Sequence, residues 1–189
     1  MTYFGKNSDF TVQMLVNLSS LKMPELLVKI MEEGVKWVDS EGKLGRIYFD
    51  YGNTFYERGF EWWSKAEEYY LKALEIYRKL ADKDPAYKPD YAGTLNNLGN
   101  LYSDKGEFDK AEECLKEALE IYRKLAEKDN TYMYDYAITM IRAGYLYYLK
   151  RELNKAKEYL KEALKLSENY GFTNLTEIIK YLLEGLESE

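Results

Sequence analysis

The 189-residue chain contains no histidine, one cysteine, one glutamine and three prolines. Without histidine it lacks the commonest general base, the usual metal ligand, and the Ser–His and Cys–His nucleophile pairs. A lone cysteine, Cys114, forms no internal disulfide, and a reducing, cytoplasmic setting fits that best. No apolar run reaches the roughly 18–20 residues of a membrane span; the most apolar segment, near 136–149, carries Arg142. The first ten residues, MTYFGKNSDF, lack a signal-peptide core. Phosphate-cradling glycine motifs are missing too. The net charge is −6 and the pI about 5.0, which disfavours a nucleic-acid partner, since phosphate binding leans on clustered Lys and Arg. Composition therefore points away from an enzyme, a metal site, a cofactor site, a membrane protein and a nucleic-acid binder. The many Lys and Glu beside a single glutamine hint at a thermophile.

What is present is self-similarity. AEEYYLKALEIYRKLADKD at 66–84 lies over AEECLKEALEIYRKLAEKD at 111–129 with fourteen of nineteen positions identical, and AKEYLKEAL begins forty-five residues later at 156. A fixed period of this size marks a stacked array, in which each unit buries its apolar face against its neighbours. Each unit reads as two helices. In the middle unit Ala111, Cys114, Leu115, Ala118, Leu119, Tyr122, Leu125 and Ala126 recur at steps of three and four, with Glu112, Glu113, Glu120, Lys124 and Lys128 on the opposite, solvated face. Its first helix carries Leu95, Leu98, Gly99, Leu101 and Tyr102. Gly106 suits the left-handed residue that ends that helix. Asp84-Pro85 stops the preceding helix, and Pro89 suits a first turn.

The expected architecture is all-α, a single α-solenoid domain over 1–189 with about nine helices and no strands. Residues 1–42 repeat poorly and read as a degenerate pair, a short helix near 9–19 and one from Pro24 to about Val38. Three repeats of 45-residue period fill 43–171. Residues 172–189 form a capping helix with Leu175, Ile178, Ile179, Leu182 and Leu186 on its stripe and Glu177, Lys180, Glu184 and Glu187 outside. Repeat one carries two extra residues at its turn, in the aromatic knot Phe60-Glu61-Trp62-Trp63, expected to pack over an end of the array rather than to dock a ligand.

Leu95, Leu98, Gly99, Tyr102, Gly106, Phe108, Ala111 and Ala118 stand at the spacings of the tetratricopeptide repeat signature. Repeat one resembles it through Gly52, Phe55, Gly59, Ala66 and Ala73, and repeat three through Gly144, Tyr147, Ala156 and Ala163, with Arg151 in place of the turn glycine. The 45-residue unit and the stretch TLNNLGNLY are similar to the longer repeats of kinesin light chain. The resemblance covers about 46–170. It implies a right-handed superhelix of antiparallel helix pairs whose first helices line a groove that binds peptides or protein segments, with no shared catalytic activity.

Carried onto this chain, the groove-facing positions are Arg46, Phe49, Asp50, Asn53, Tyr56 and Glu57 in repeat one. Repeat two supplies Asn96, Asn97, Asn100, Ser103 and Asp104; repeat three supplies Ile138, Ile141, Arg142, Tyr145, Tyr148 and Leu149. Three asparagines within five residues are poor helix formers, yet each amide can pair with an extended peptide backbone. The competing reading has them bonding to neighbouring helices to hold the stack in register. The apolar inner side of repeat three is either a pocket for a ligand side chain or a face covered by the last helix or by a second copy, as in a homodimer. Tyr77, Tyr102 and Tyr122 read as core.

Overall fold

The steps of three and four become seven full α-helices among the residues that the computed structural model describes, 28–29, 32–38 and 40–187. They are α1 Glu41–Glu57, α2 Trp63–Lys83, α3 Lys88–Lys105, α4 Phe108–Ala126, α5 Met133–Leu149, α6 Leu153–Tyr170 and α7 Thr173–Glu187. No strand occurs among the described residues, so the fold is an all-α solenoid of helix pairs. The helix expected near 9–19 lies outside the described residues. The one expected from Pro24 is seen only in part, as helical residues 28–29 and 32–34 followed by a 3-10 turn at Val35–Trp37. Helix α1 begins at Glu41, two residues before the expected start of repeat one at 43. No helix among the described residues is long and apolar enough to cross a membrane.

The chain falls into two compact units, Met1–Lys88 and Pro89–Glu189. In the first, α1 and α2 form a hairpin whose crossing is set by Gly52: a Cβ there would lie 2.3 Å from the Tyr70 ring. The core around it is aromatic. Tyr69 stacks on Phe55 (centroids 5.5 Å apart) and meets Tyr51 edge-on (5.4 Å). The knot divides its labour: Trp62 stacks on Phe55 and Trp63 on Tyr56, whereas Phe60 is exposed.

In the second unit the same device recurs twice. A Cβ on Gly99 of α3 would lie 2.7 Å from Leu115 of α4, and one on Gly144 of α5 would lie 3.0 Å from Leu160 of α6. Buried Ala111, Ala118, Ala156 and Ala163 keep the facing helices close. Tyr102 and Tyr122 are buried here and Tyr77 in the first unit, all as core.

The turns repeat at forty-five residues as well. Glu107 N–H donates to Tyr102 C=O and Glu152 N–H to Tyr147 C=O, each at 2.9 Å. Both close a helix through one left-handed residue, Gly106 (φ 76°) and Arg151 (φ 62°). Each buried signature tyrosine is then roofed by two lysines: Lys105 and Lys110 over Tyr102, Lys150 and Lys155 over Tyr147. Glu107 and Glu152 tie those lysines together. At the other ends of the hairpins, Asp84 and Asp129 cap the 3-10 turns by accepting from Ala86 and Thr131 N–H, both at 2.9 Å.

One charged residue departs from its sequence reading. Glu112 is not a solvated helix-face residue. Its carboxylate receives hydrogen bonds from Lys150, just past the end of α5 (2.5 Å), and the Tyr147 hydroxyl (3.0 Å) and pairs with Lys116 (2.5 Å). Those bonds, with Lys116 and Lys150 foremost, hold its pKa down to about 2 against partial desolvation. Burial and the same carboxylate push the Tyr147 hydroxyl up.

Two outcomes follow from this packing. Left-handed backbone costs a residue with a Cβ roughly 1 kcal/mol. Arg151→Gly is therefore expected to stabilise the fold, and Gly106→Ala to destabilise it by about 1 kcal/mol, read from denaturant midpoints. Because the folded pKa of Glu112 is depressed, its contribution is full above the unfolded value near 4.5 and disappears as pH falls toward about 2. Glu112→Gln should cost about 1–2 kcal/mol at pH 7, and the gap to the parent should close in acid. A gap independent of pH would show that the carboxylate's charge is irrelevant.

Candidate functional site

The first helix of each pair carries the candidate residues, and the two units treat them differently. In α1, Arg46 and Glu57 are exposed, and Arg46 Nε reaches Asp50 at 3.4 Å. Burial raises the Asp50 pKa, against the pull of Arg46. Phe49 leans on the Tyr70 ring (6.2 Å) and Tyr56 on Trp63. The Asn53 amide oxygen accepts from the Tyr70 hydroxyl at 2.7 Å. Most of this row is thus engaged by its own hairpin.

In α3 the expected row splits. Asn96 and Ser103 are buried, 6% and 2% exposed. The Ser103 hydroxyl donates to the Gly99 carbonyl at 2.9 Å, and the Asn96 amide oxygen has no hydrogen-bond partner among the described residues. These two do not lie on an open face. The cause is that α3 is buried around most of its circumference, from Ala92 to Ser103, so a stripe derived for a two-sided helix is too wide.

Asn97, Asn100 and Asp104 stay half-buried, and the fold brings the neighbouring first helix, α5, to them. Arg142 Nη1 donates to Asn97 Oδ1 at 2.6 Å, and the Tyr145 hydroxyl donates to Asp104 Oδ1 at 3.3 Å. These links join residues 45 and 41 positions apart, one repeat in each case. Burial, and then Asp104, push the Tyr145 hydroxyl up. Asn97 is thus bonded to a neighbouring first helix, the arrangement that one of the two sequence readings describes, and its side chain is half-buried.

The inner side of repeat three is partly covered and partly open. Ile138, Ile141 and Tyr148 pack on the α5–α6–α7 core, and Leu149 is half-buried. Helix α7 lies on α6 through Leu175, Ile179 and Leu186. A cleft of about 300 Å³ remains among the helices, lined by Gly144, Tyr145 and Tyr148 of α5, Leu160 of α6, and Tyr181, Leu182 and Gly185 of α7. It has the size and lining to take an apolar side chain.

Sequence reasoning missed the α7 wall, because that helix reads as a cap with a polar outside. Ile178, expected on the buried stripe, is 53% exposed, and Tyr181 is 77% exposed. The signal was available: Ile178, Tyr181 and Gly185 stand three and four apart, beside the Leu175–Ile179–Leu186 arc. Cys114 is half-buried, and burial with the nearby Glu117 and Glu113 pushes its thiol up to about 12, far from nucleophilic.

Among solved structures, that reported in the functional characterization of Pseudomonas aeruginosa pilF superposes with a TM-score of 0.57 at 18% identity, over 95% of this chain and 76% of that one. At that identity the likeness speaks for the fold. Among curated proteins there is no significant match. The tetratricopeptide repeat model matches residues 43–124 and 90–169, together about two thirds of the sequence and the same stretch in which the glycine crossings and lysine-roofed tyrosines recur. The chain belongs to the tetratricopeptide repeat family.

Proposed function

We propose that the chain is a non-catalytic protein-interaction scaffold that receives a peptide or protein segment on the α3–α5 wall and its adjoining cleft. Tetratricopeptide repeats generally mediate protein–protein interaction. The observation that carries the finer reading is the junction of a half-exposed polar row, Asn97, Asn100, Asp104 and Arg142, with an apolar cleft of about 300 Å³. A peptide backbone finds donors and acceptors along the row, and one bulky side chain finds the cleft. Helix packing holds both in place beforehand, so little ordering entropy opposes binding. Affinity for a short segment is expected to be micromolar, roughly −8 kcal/mol. The net charge of −6 favours a protein ligand over nucleic acid, and the single cysteine fits a reducing, cytoplasmic setting.

A second reading is a self-assembling module that uses repeat three and the last helix. Exposed Ile178 and Tyr181 favour it.

Selection of a random displayed-peptide library against the full chain tests the first reading. Enriched peptides should share a bulky apolar residue. Calorimetry should show Tyr145→Ala weakening them about tenfold, about 1.4 kcal/mol, with a stability loss of about 1 kcal/mol through the lost Asp104 contact that leaves the chain fully folded at the assay temperature. Asn97→Ala combined with Asn100→Ala should weaken the same peptides, and should also cost about 1 kcal/mol of stability through the lost Arg142 contact. Failure to enrich any peptide, or equal affinity for Tyr145→Ala, would remove the α3–α5 wall as the binding surface.

A further inference from the structure

Among the described residues of the second unit, five carboxylates are half-buried: Asp104, Glu107, Glu112, Asp135 and Glu152. Four of them are answered. Lys105 and Lys110 pair with Glu107, Lys116 and Lys150 with Glu112, and Lys150 and Lys155 with Glu152. The Tyr145 hydroxyl donates to Asp104. Asp135 is the exception. The bond it receives from Thr139 Oγ1, at 2.7 Å, goes to its backbone carbonyl and leaves the side chain out. Burial raises its carboxyl above the ordinary value, and no cation among the described residues offsets that. A carboxylate half out of water without a partner carries a desolvation cost, which an arriving cation would recover.

The position of Asp135 gives this a direction. It shares a face of α5 with Arg142, two turns further on, and Arg142 is bonded across to Asn97 of α3. Around the Tyr122 hydroxyl the charged neighbours are Asp135, Arg142 and Asp90, two carboxylates to one guanidinium. The start of the α3–α5 wall is therefore acidic. Its far end is the apolar cleft with Tyr145, Tyr148 and Tyr181. From Asp135 to Tyr145 and Tyr148 the helix rises about 15–20 Å, at about 1.5 Å per residue. An extended chain covers about 3.3–3.6 Å per residue, so about four to six residues of a ligand bridge the two ends. The geometry points to a basic ligand segment: a Lys or Arg pairs with Asp135, and a bulky apolar residue four to six positions away along the segment, at about that extended rise, fills the cleft. This rests on the scaffold reading above and adds the ligand's charge and spacing.

The test takes the peptides enriched from the random displayed library, synthesises them, and titrates them by calorimetry into the full chain. Two variants run alongside: Asp135→Asn, which removes the charge and keeps the shape, and Glu158→Gln, an exposed carboxylate of α6, as a control for overall charge. Enriched peptides are expected to pair a Lys or Arg with a bulky apolar residue at the stated spacing. Asp135→Asn should weaken them about tenfold while Glu158→Gln leaves them unchanged. Replacing the peptide's basic residue with Gln should cost the parent a similar factor and cost Asp135→Asn nothing further, the mark of a direct pair. Both variants should keep the parent's helical circular dichroism. Peptides that depend on Tyr145 but share no basic residue, or that bind Asp135→Asn as tightly as the parent, overturn the Asp135 pairing and leave the scaffold reading standing. Failure to enrich any peptide overturns both. Should Asp135→Asn fail to fold, the Gln-substituted peptide against the parent decides: unchanged affinity overturns the pairing, and a tenfold loss upholds it.

Discussion

The arrangement of the helices depends on a contact distance. A helix pair packs as these do only where one backbone presents no side chain at the crossing. At Gly52, Gly99 and Gly144 a methyl group would come within 2.3 to 3.0 Å of the side chain opposite. Interiors of normal density do not yield that much room without displacing a helix. The alanines at the same crossings, buried to the last atom, extend the close approach along each pair. Once two helices lie this near, the aromatic and leucine side chains around the crossing have one way to fill the remaining volume.

Polar chemistry in the second unit follows from that packing. Tyr102 and Tyr147 are driven into the core by their rings, and their outward faces then draw lysines from the turn and the start of the next helix. Lys150, so placed, reaches Glu112 of the preceding pair. A residue that looks solvated in sequence thereby becomes a junction between α4 and α5. Arg142 to Asn97 and Tyr145 to Asp104 do the same work between α3 and α5. The polar row proposed to meet a ligand is thus also a brace. Its side chains are held at fixed positions before anything binds, which suits recognition by pre-organisation.

Periodicity made the helix pairs, their turns and the glycine seats legible, because each depends on residues near one another in sequence. Gly106 and Asp84 announce their turns by local backbone demands alone. Arg151 was equally legible as a departure, and it holds the left-handed backbone of the glycine it replaces. The candidate site was legible in part. Asn97, Asn100, Asp104, Arg142 and Tyr145 lie on a half-open face, whereas Asn96 and Ser103, drawn from the same stripe, are inside. Counting around a single helix cannot tell a two-sided helix from one enclosed on most sides.

Sequence by itself determined the helical hairpin, its 45-residue recurrence and its membership of the tetratricopeptide repeat family, since steps of three and four and the need for a missing Cβ are properties of short stretches. Tertiary structure alone decided which carboxylate is clamped, which asparagine answers to which arginine, and where the cleft opens beside α7. Those outcomes join residues about forty positions apart, and the contacts that create them exist only after the helices have packed. Burial of a side chain is a property of everything around it, and no local pattern contains that.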